Sequence, residues 1–259
     1  TTGGTIKNLT IASGFRGIFV NHNSTHAEKV ILENVTIHGP TYTISCDQGT
    51  GKGLEATECT LNGWTSYAAT IGDVKFTNCS FGNGAGYKFA RPYAPTTFVN
   101  CDFCEGYVVD PRAKVVFENC RLNGVEITED NYTQLVTSNS QNVAWVAKVG
   151  TSEELTTALN GGKDVVLTGD VISEAATTAP YGNKYAFKLD GGVLDGNGHE
   201  LHVDCYGDDY GIMTSGGTIK NLTIKEGCRA VMIMYPQQDV ILDNVNIGGD
   251  GVLYPINTG

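Results

Sequence analysis

An all-β solenoid of strand–bend–strand coils is the fold that this sequence predicts, and two observations predict it. The first is a recurring frame of apolar, any, apolar, any, Asn, apolar, any, apolar residues, clearest in VKFTNCSF at 74–81. Other copies centre on Asn8, Asn34, Glu58, Asn100, Asn119, Asn221 and Asn244. Each arm has the period of a strand, 2, while the apolar spacing across the central residue is 3. That phase slip predicts a sharp bend with both arms facing one interior. Asn suits the bend because it enters the left-handed backbone region cheaply. The second observation is the interval between copies: 26, 24, 20, 22 and 19 residues, then 23 in a later set. Units of that length stack as a solenoid.

The arms predict the core. Val30, Leu32, Val35, Ile37, Val74, Phe76, Cys79, Phe81, Val115, Phe117, Cys120 and Leu122 are expected to be buried. Asn34, Asn78, Asn100, Asn119, Asn221 and Asn244 are expected to stack as a ladder whose amides satisfy one another on burial, with Glu58 turning outward or accepting bonds from its neighbours. Cys59, Cys79, Cys101 and Cys120 follow their bend residues directly, so they form an inward column of small hydrophobes at roughly 4.8 Å intervals. The C-x-x-C at 101–104 has no second half, so no zinc site is expected. Free thiols fit a reducing or anoxic setting and count against an oxygen-exposed one.

This pattern resembles the right-handed parallel β-helix of the pectate-lyase-like superfamily, in which Asn residues at one turn stack into a ladder. The resemblance covers most of the chain and implies the fold. That fold carries lyases, hydrolases, phage tailspikes, adhesins and inert stalks, so it does not fix an activity. The enzymes' motifs are not matched. NTG at 257–259 lacks the Asp of an NTD motif, Asp208 and Asp209 precede it in the wrong order, GHE at 198–200 lies in an opening coil, and no R-I-K occurs. No catalytic residue is expected.

Composition narrows the partners. The net charge is −11, which argues against nucleic acid and anionic membranes, and against an acidic polymer such as pectate unless calcium bridges the charges. Calcium is thus the one cofactor the sequence raises. No apolar run approaches the roughly 18 residues of a membrane helix, so no membrane insertion is expected. The chain starts TTGGT, as a mature form or an excised piece would.

A longer repeat overlies the coils. TTGGTIKNLTI at 1–11 returns as TSGGTIKNLTI at 214–224, Arg16 answers Arg229, and VILENVTI answers VILDNVNI. Between the copies, VGTSEELTTALNGGKDVVLTGDV at 149–171 reads as a short helix and a strand. Thr151 and Glu154 form a capping box, Leu155 and Leu159 share a face, and Gly161 stops the helix. This resembles the N-terminal cap that covers the first coil of many β-helix proteins, with 187–203 as the opening coil beneath it. Residues 1–141 are then the body of one module without its cap, and 142–259 the cap and first coils of a second, near-identical module. An uncapped coil edge at residues 4–11 favours docking of another strand or coil, so end-to-end self-association is a partner class to consider.

Two groups could bind a ligand. Asp204, Tyr206, Asp208, Asp209 and Tyr210, in VDCYGDDYG, could hold calcium or stack a sugar; the plainer alternative is a solvated acidic loop. Tyr87, Arg91 and Tyr93, in GYKFARPY, could form an aromatic shelf with Trp64 and Tyr67; the alternative is a loop packing its own aromatics. Arg112, in the DPR at 110–112, and Arg121 are further exposed arginines with no base beside them. His22 and His26 fall in a polar loop and read as surface residues. Three functions compete. The first is a non-catalytic tandem β-helix, a bacterial surface, adhesin-like or phage-associated structural or carbohydrate-binding module, extracellular or at the cell surface. The second is a polysaccharide lyase or glycoside hydrolase, and the third a self-assembling structural subunit. Polysaccharide is the ligand class the first two share.

Overall fold

All eight bend residues adopt the left-handed conformation, with φ between 49° and 55° at Asn8, Asn34, Glu58, Asn78, Asn100, Asn119, Asn221 and Asn244. The computed structural model describes residues 1–21, 28–46, 51–205, 207–225, 229–249 and 254–258. They form parallel sheets stacked as a β-solenoid of about 10 turns with one short helix. His22 and His26 lie outside the described residues. The chain divides into two compact units, Thr1–Trp145 and Val146–Gly259.

In the first unit the arms before the bend pair in parallel. Val30↔Leu54↔Val74↔Thr96↔Val115 and Leu32↔Ala56↔Phe76↔Phe98↔Phe117 are the core columns. Phe76, Phe98 and Phe117 stack face to face with centroids 5.2 and 5.4 Å apart. The arms after the bend add Ile37↔Leu61↔Phe81↔Phe103↔Leu122. Cys59, Cys79, Cys101 and Cys120 are buried and free. Their thiols reach back one coil: Cys79 Sγ donates to the Ala56 carbonyl, Cys101 to Phe76 and Cys120 to Phe98, at 3.4, 3.6 and 3.3 Å. Leu122 is only partly buried, unlike the other expected core residues, because it ends its column: the next strand, Val125–Glu126, pairs with it antiparallel in place of a further coil. A third parallel set of strands, Arg16–Phe19, Tyr42–Cys46, Trp64–Tyr67, Phe89–Pro92 and Val108–Val109, forms a sheet of its own.

The asparagine ladder runs on the outside. Asn34 Nδ2 donates to Asn8 Oδ1 at 2.8 Å, Asn100 to Asn78 at 3.2 Å and Asn119 to Asn100 at 3.3 Å. These side chains are exposed, which corrects the expected burial. The left-handed bend turns the central Cβ away from the interior that both arms face. Glu58 is exposed and divides the ladder into two runs. Backbone pairing continues through the bends, since Glu58 N donates to Thr77 O and Asn78 N to Val99 O at 3.0 and 2.9 Å.

In the second unit the helix Ser152–Asn160 has both halves of its capping box in place. Leu155 and Leu159 are buried in one cluster with Leu189, Leu194 and Leu201, so the helix seals this coil as its apolar face requires. Strand Tyr210–Lys225 pairs in parallel with Val240–Gly248, matching Leu222 to Val245 as Leu9 is matched to Val35. Its ladder is Asn244 to Asn221 to Asp195, at 3.0 and 3.2 Å.

Two stability predictions follow from these columns. Phe76→Ala should cost on the order of 3–5 kcal/mol in urea denaturation, because a fully buried ring is lost between Phe98 and Phe81. Asn100→Ala should cost about 1–2 kcal/mol more than Asn100→Gly, because only alanine resists the left-handed backbone. Equal costs for the two would show that the amide ladder, not the backbone, selects asparagine.

Candidate functional site

The third sheet of the first unit places alternate side chains outside. In Trp64–Tyr67 and Phe89–Pro92 the first and third residues are half-buried and the second and fourth fully buried. Tyr42, Trp64 and Phe89 share one register position, so their rings line up across three coils. Tyr42 stacks on Trp64 at 4.9 Å and 24°, Phe15 meets Tyr42 edge-on at 5.4 Å, and Tyr87 and Phe89 flank Trp64 at 5.6 and 5.3 Å. Arg91 lies over this strip, its Cζ 5.7 Å from the Trp64 ring centroid and 5.0 Å from that of Phe89. Guanidinium over an aromatic face is attractive and holds both planes.

Arg91 is also held from below. Its Nε donates to Asp110 Oδ2 at 3.3 Å. Asp110 is 5% exposed and accepts further bonds from Arg112 Nε and Nη2, Ser138 Oγ and Asn139 Nδ2, at 3.2, 2.8, 2.8 and 2.6 Å. Burial pushes its carboxyl up. The bonds from Ser138, Arg112 and Asn139, with the charge of Arg112, outweigh that and hold it below the ordinary aspartate value. The Arg112 that had no evident base in the sequence is therefore paired, and with the same carboxylate as Arg91.

Beside these rings lies an open cleft of about 470 Å³, lined by Tyr42, Trp64, Ser66, Ala69, Arg91 and Tyr93 among others. Trp64, Arg91 and Tyr93 of the expected shelf line this cleft, and Tyr87 meets the Trp64 ring beside it. Tyr67 borders the cleft too but exposes almost none of its ring. It points into the core, 1% exposed, with its hydroxyl 2.8 Å from Thr96 Oγ1, because the alternation that turns Trp64 out turns Tyr67 in. Sequence reading missed Phe15, Tyr42, Phe89 and Asp110. The signal for Tyr42 and Phe89 was there: each opens the third strand of its coil, as Trp64 does. Trp64 Nε1 is buried with no hydrogen-bond partner among the described residues.

Of the acidic group, Asp208 and Tyr210 meet at Arg229 and Asn183, while Asp209 turns to Lys184. Asp208 pairs with Arg229, Asp209 Oδ1 accepts the Lys184 amide at 2.7 Å, and the buried Tyr210 hydroxyl accepts from Asn183 Nδ2 at 2.9 Å. Asp204 is exposed, and Tyr206 lies outside the described residues. No group of three or more His, Cys, Asp or Glu among the described residues is placed to hold a metal ion. His199 and His202 pair with Asp170 and Glu200 at 3.5 and 3.0 Å.

Comparison with protein-family models, curated proteins and solved structures finds no match to this chain. What fold and site define is a parallel β-solenoid with an aromatic and guanidinium shelf on its outer face.

The Asp110 network has a pH signature. Because folding lowers this pKa, its stabilisation is complete above the unfolded value of about 3.9 and is lost as pH falls through the folded value. Asp110→Asn should therefore cost about 2 kcal/mol at neutral pH, and its deficit against the unaltered protein should shrink below about pH 4. Denaturation curves across this range check it; a deficit constant with pH would show that the charge of Asp110 contributes nothing.

Proposed function

We propose that this chain is a non-catalytic carbohydrate-binding β-solenoid whose ligand site is the Trp64 shelf. The carrying observation is the outward strip of Tyr42, Trp64 and Phe89, capped by a guanidinium that a buried carboxylate holds in place. The rings pack on one another and under Arg91, so what the strip offers a pyranose is a run of apolar ring surface left open to the cleft, with the few polar groups around it to fix orientation. Ser66 and the Tyr93 hydroxyl, with the Nη groups of Arg91, supply donors for sugar hydroxyls along the cleft. The net charge of −11 favours neutral glycans over acidic ones.

Binding rather than turnover is supported by the lining of the cleft. Among the described residues its lining carries no carboxylate, and Asp110 beneath it is engaged by five hydrogen bonds, so no acid–base pair of the glycosidase kind is seen among them. Regular coils and a module that recurs at an offset of 213 residues suit an adhesin-like or phage-associated surface component, where repetition sets reach and ligand density.

The test is a titration with cellohexaose, xylohexaose and laminarihexaose, read by tryptophan fluorescence and calorimetry. At least one should bind, quench Trp64 emission and leave no new reducing ends. Trp64→Ala should weaken that binding tenfold or more, about 1.4 kcal/mol. Failure of all three sugars to bind, or binding unaffected by Trp64→Ala, would sink the proposal, and new reducing ends would make the protein a hydrolase.

A further inference from the structure

The second unit repeats the design of the shelf with different residues. Tyr185, Tyr210, Arg229 and Tyr254 share one register position on successive strands, and Arg229↔Tyr254 repeats the Arg16↔Tyr42 pairing of the first unit. The Arg229 guanidinium lies between two rings, its Cζ 5.5 Å from the Tyr210 centroid and 5.3 Å from that of Tyr254. A carboxylate fixes it here too: Arg229 Nη2 donates to Asp208 Oδ1, and Nη1 reaches the Tyr210 hydroxyl at 3.4 Å. Arg229 and Arg91 are thus equivalent in kind. Each is laid on two aromatic rings and pinned by one aspartate from an adjacent coil.

We infer that Tyr210, Arg229 and Tyr254 form a second saccharide platform, so that one chain holds two independent glycan sites. This rests on the reading of the Trp64 shelf as a carbohydrate site, and adds that the ring-and-guanidinium unit, not the Trp64 cleft alone, is what the fold repeats. Tyr254 offers the open ring, 53% exposed, while Tyr210 is buried and supports the guanidinium from beneath. Arg229 Nε is buried with no hydrogen-bond partner among the described residues, a cost that folding retains at this position. The guanidinium edge beside Tyr254 would donate to hydroxyls of a sugar stacked on that ring, as Arg91 would beside Trp64. Of the acidic stretch that the sequence offered as a calcium or sugar site, Asp208 enters as the anchor of the arginine and Tyr210 as its supporting ring.

Calorimetric titration of the whole chain with cellohexaose, xylohexaose and laminarihexaose, alongside the Trp64→Ala, Tyr254→Ala and Arg229→Gln variants, decides it. The expected result is two sites per chain for the sugar that binds, one in Trp64→Ala, one in Tyr254→Ala, and none when both are changed. Arg229→Gln should weaken only the site that Trp64→Ala leaves, tenfold or more. Thermal melts confirm that each variant is folded; Tyr254, at an exposed position, is the substitution least able to disturb the core. A single site abolished by Trp64→Ala and untouched by Tyr254→Ala would overturn the second platform and leave the Trp64 shelf standing. Binding by none of the three sugars would overturn both.

Discussion

The left-handed bend is the constraint on which the rest of this structure depends. A strand alternates its side chains between two faces, so a straight strand cannot turn a corner and keep its apolar side inward without a break in phase. One residue at positive φ supplies the break. Val74 and Phe76 before it and Cys79 and Phe81 after it then enclose one interior. Asparagine recurs at the bend because its left-handed conformation is cheap and its amide, turned outward, finds the amide of the next coil. Glu58 shows that the backbone requirement is the stricter of the two: it adopts the same φ of 55° without joining the ladder.

Once the bend fixes the register of one coil, every later feature recurs at the same place. Parallel pairing in continuous register stacks phenylalanine on phenylalanine within the core, and the pairing of Tyr42 with Trp64 holds despite a one-residue irregularity just after Tyr42. It also stacks whatever stands outside. Tyr42, Trp64 and Phe89 are far apart in sequence, yet the solenoid brings them into one strip with rings about 5 Å apart, close to the spacing of neighbouring strands. A shelf built this way stands on paired strands. Its chemistry then depends on which rings and which arginine each coil presents.

Asp110 shows how a buried charge serves such a surface. A carboxylate inside a protein is costly unless its oxygens are filled. Here the Ser138 and Asn139 side chains and two arginines fill them, so one residue both fastens Ser138 and Asn139 to the coils and fixes Arg91 over the shelf. Stability and the geometry of the shelf are therefore linked at this position.

The sequence by itself determined the coil. Period 2, the phase slip and the repeat interval were enough to place the bends at Asn8 through Asn244, the buried columns and the capped helix at Ser152–Asn160, because these depend on local periodicity and on conformational preference near each residue. It also brought Trp64, Tyr87, Arg91 and Tyr93 to attention as a possible shelf. Only the tertiary structure decided that Tyr67 faces inward, that Tyr42 and Phe89 join the shelf, that the asparagine ladder lies outside and that Asp208 pairs with Arg229. Each of these depends on which residues of neighbouring coils meet, and on which side of a strand a side chain leaves. Both are set by register between segments some 20 residues apart. No property of either segment alone carries that information.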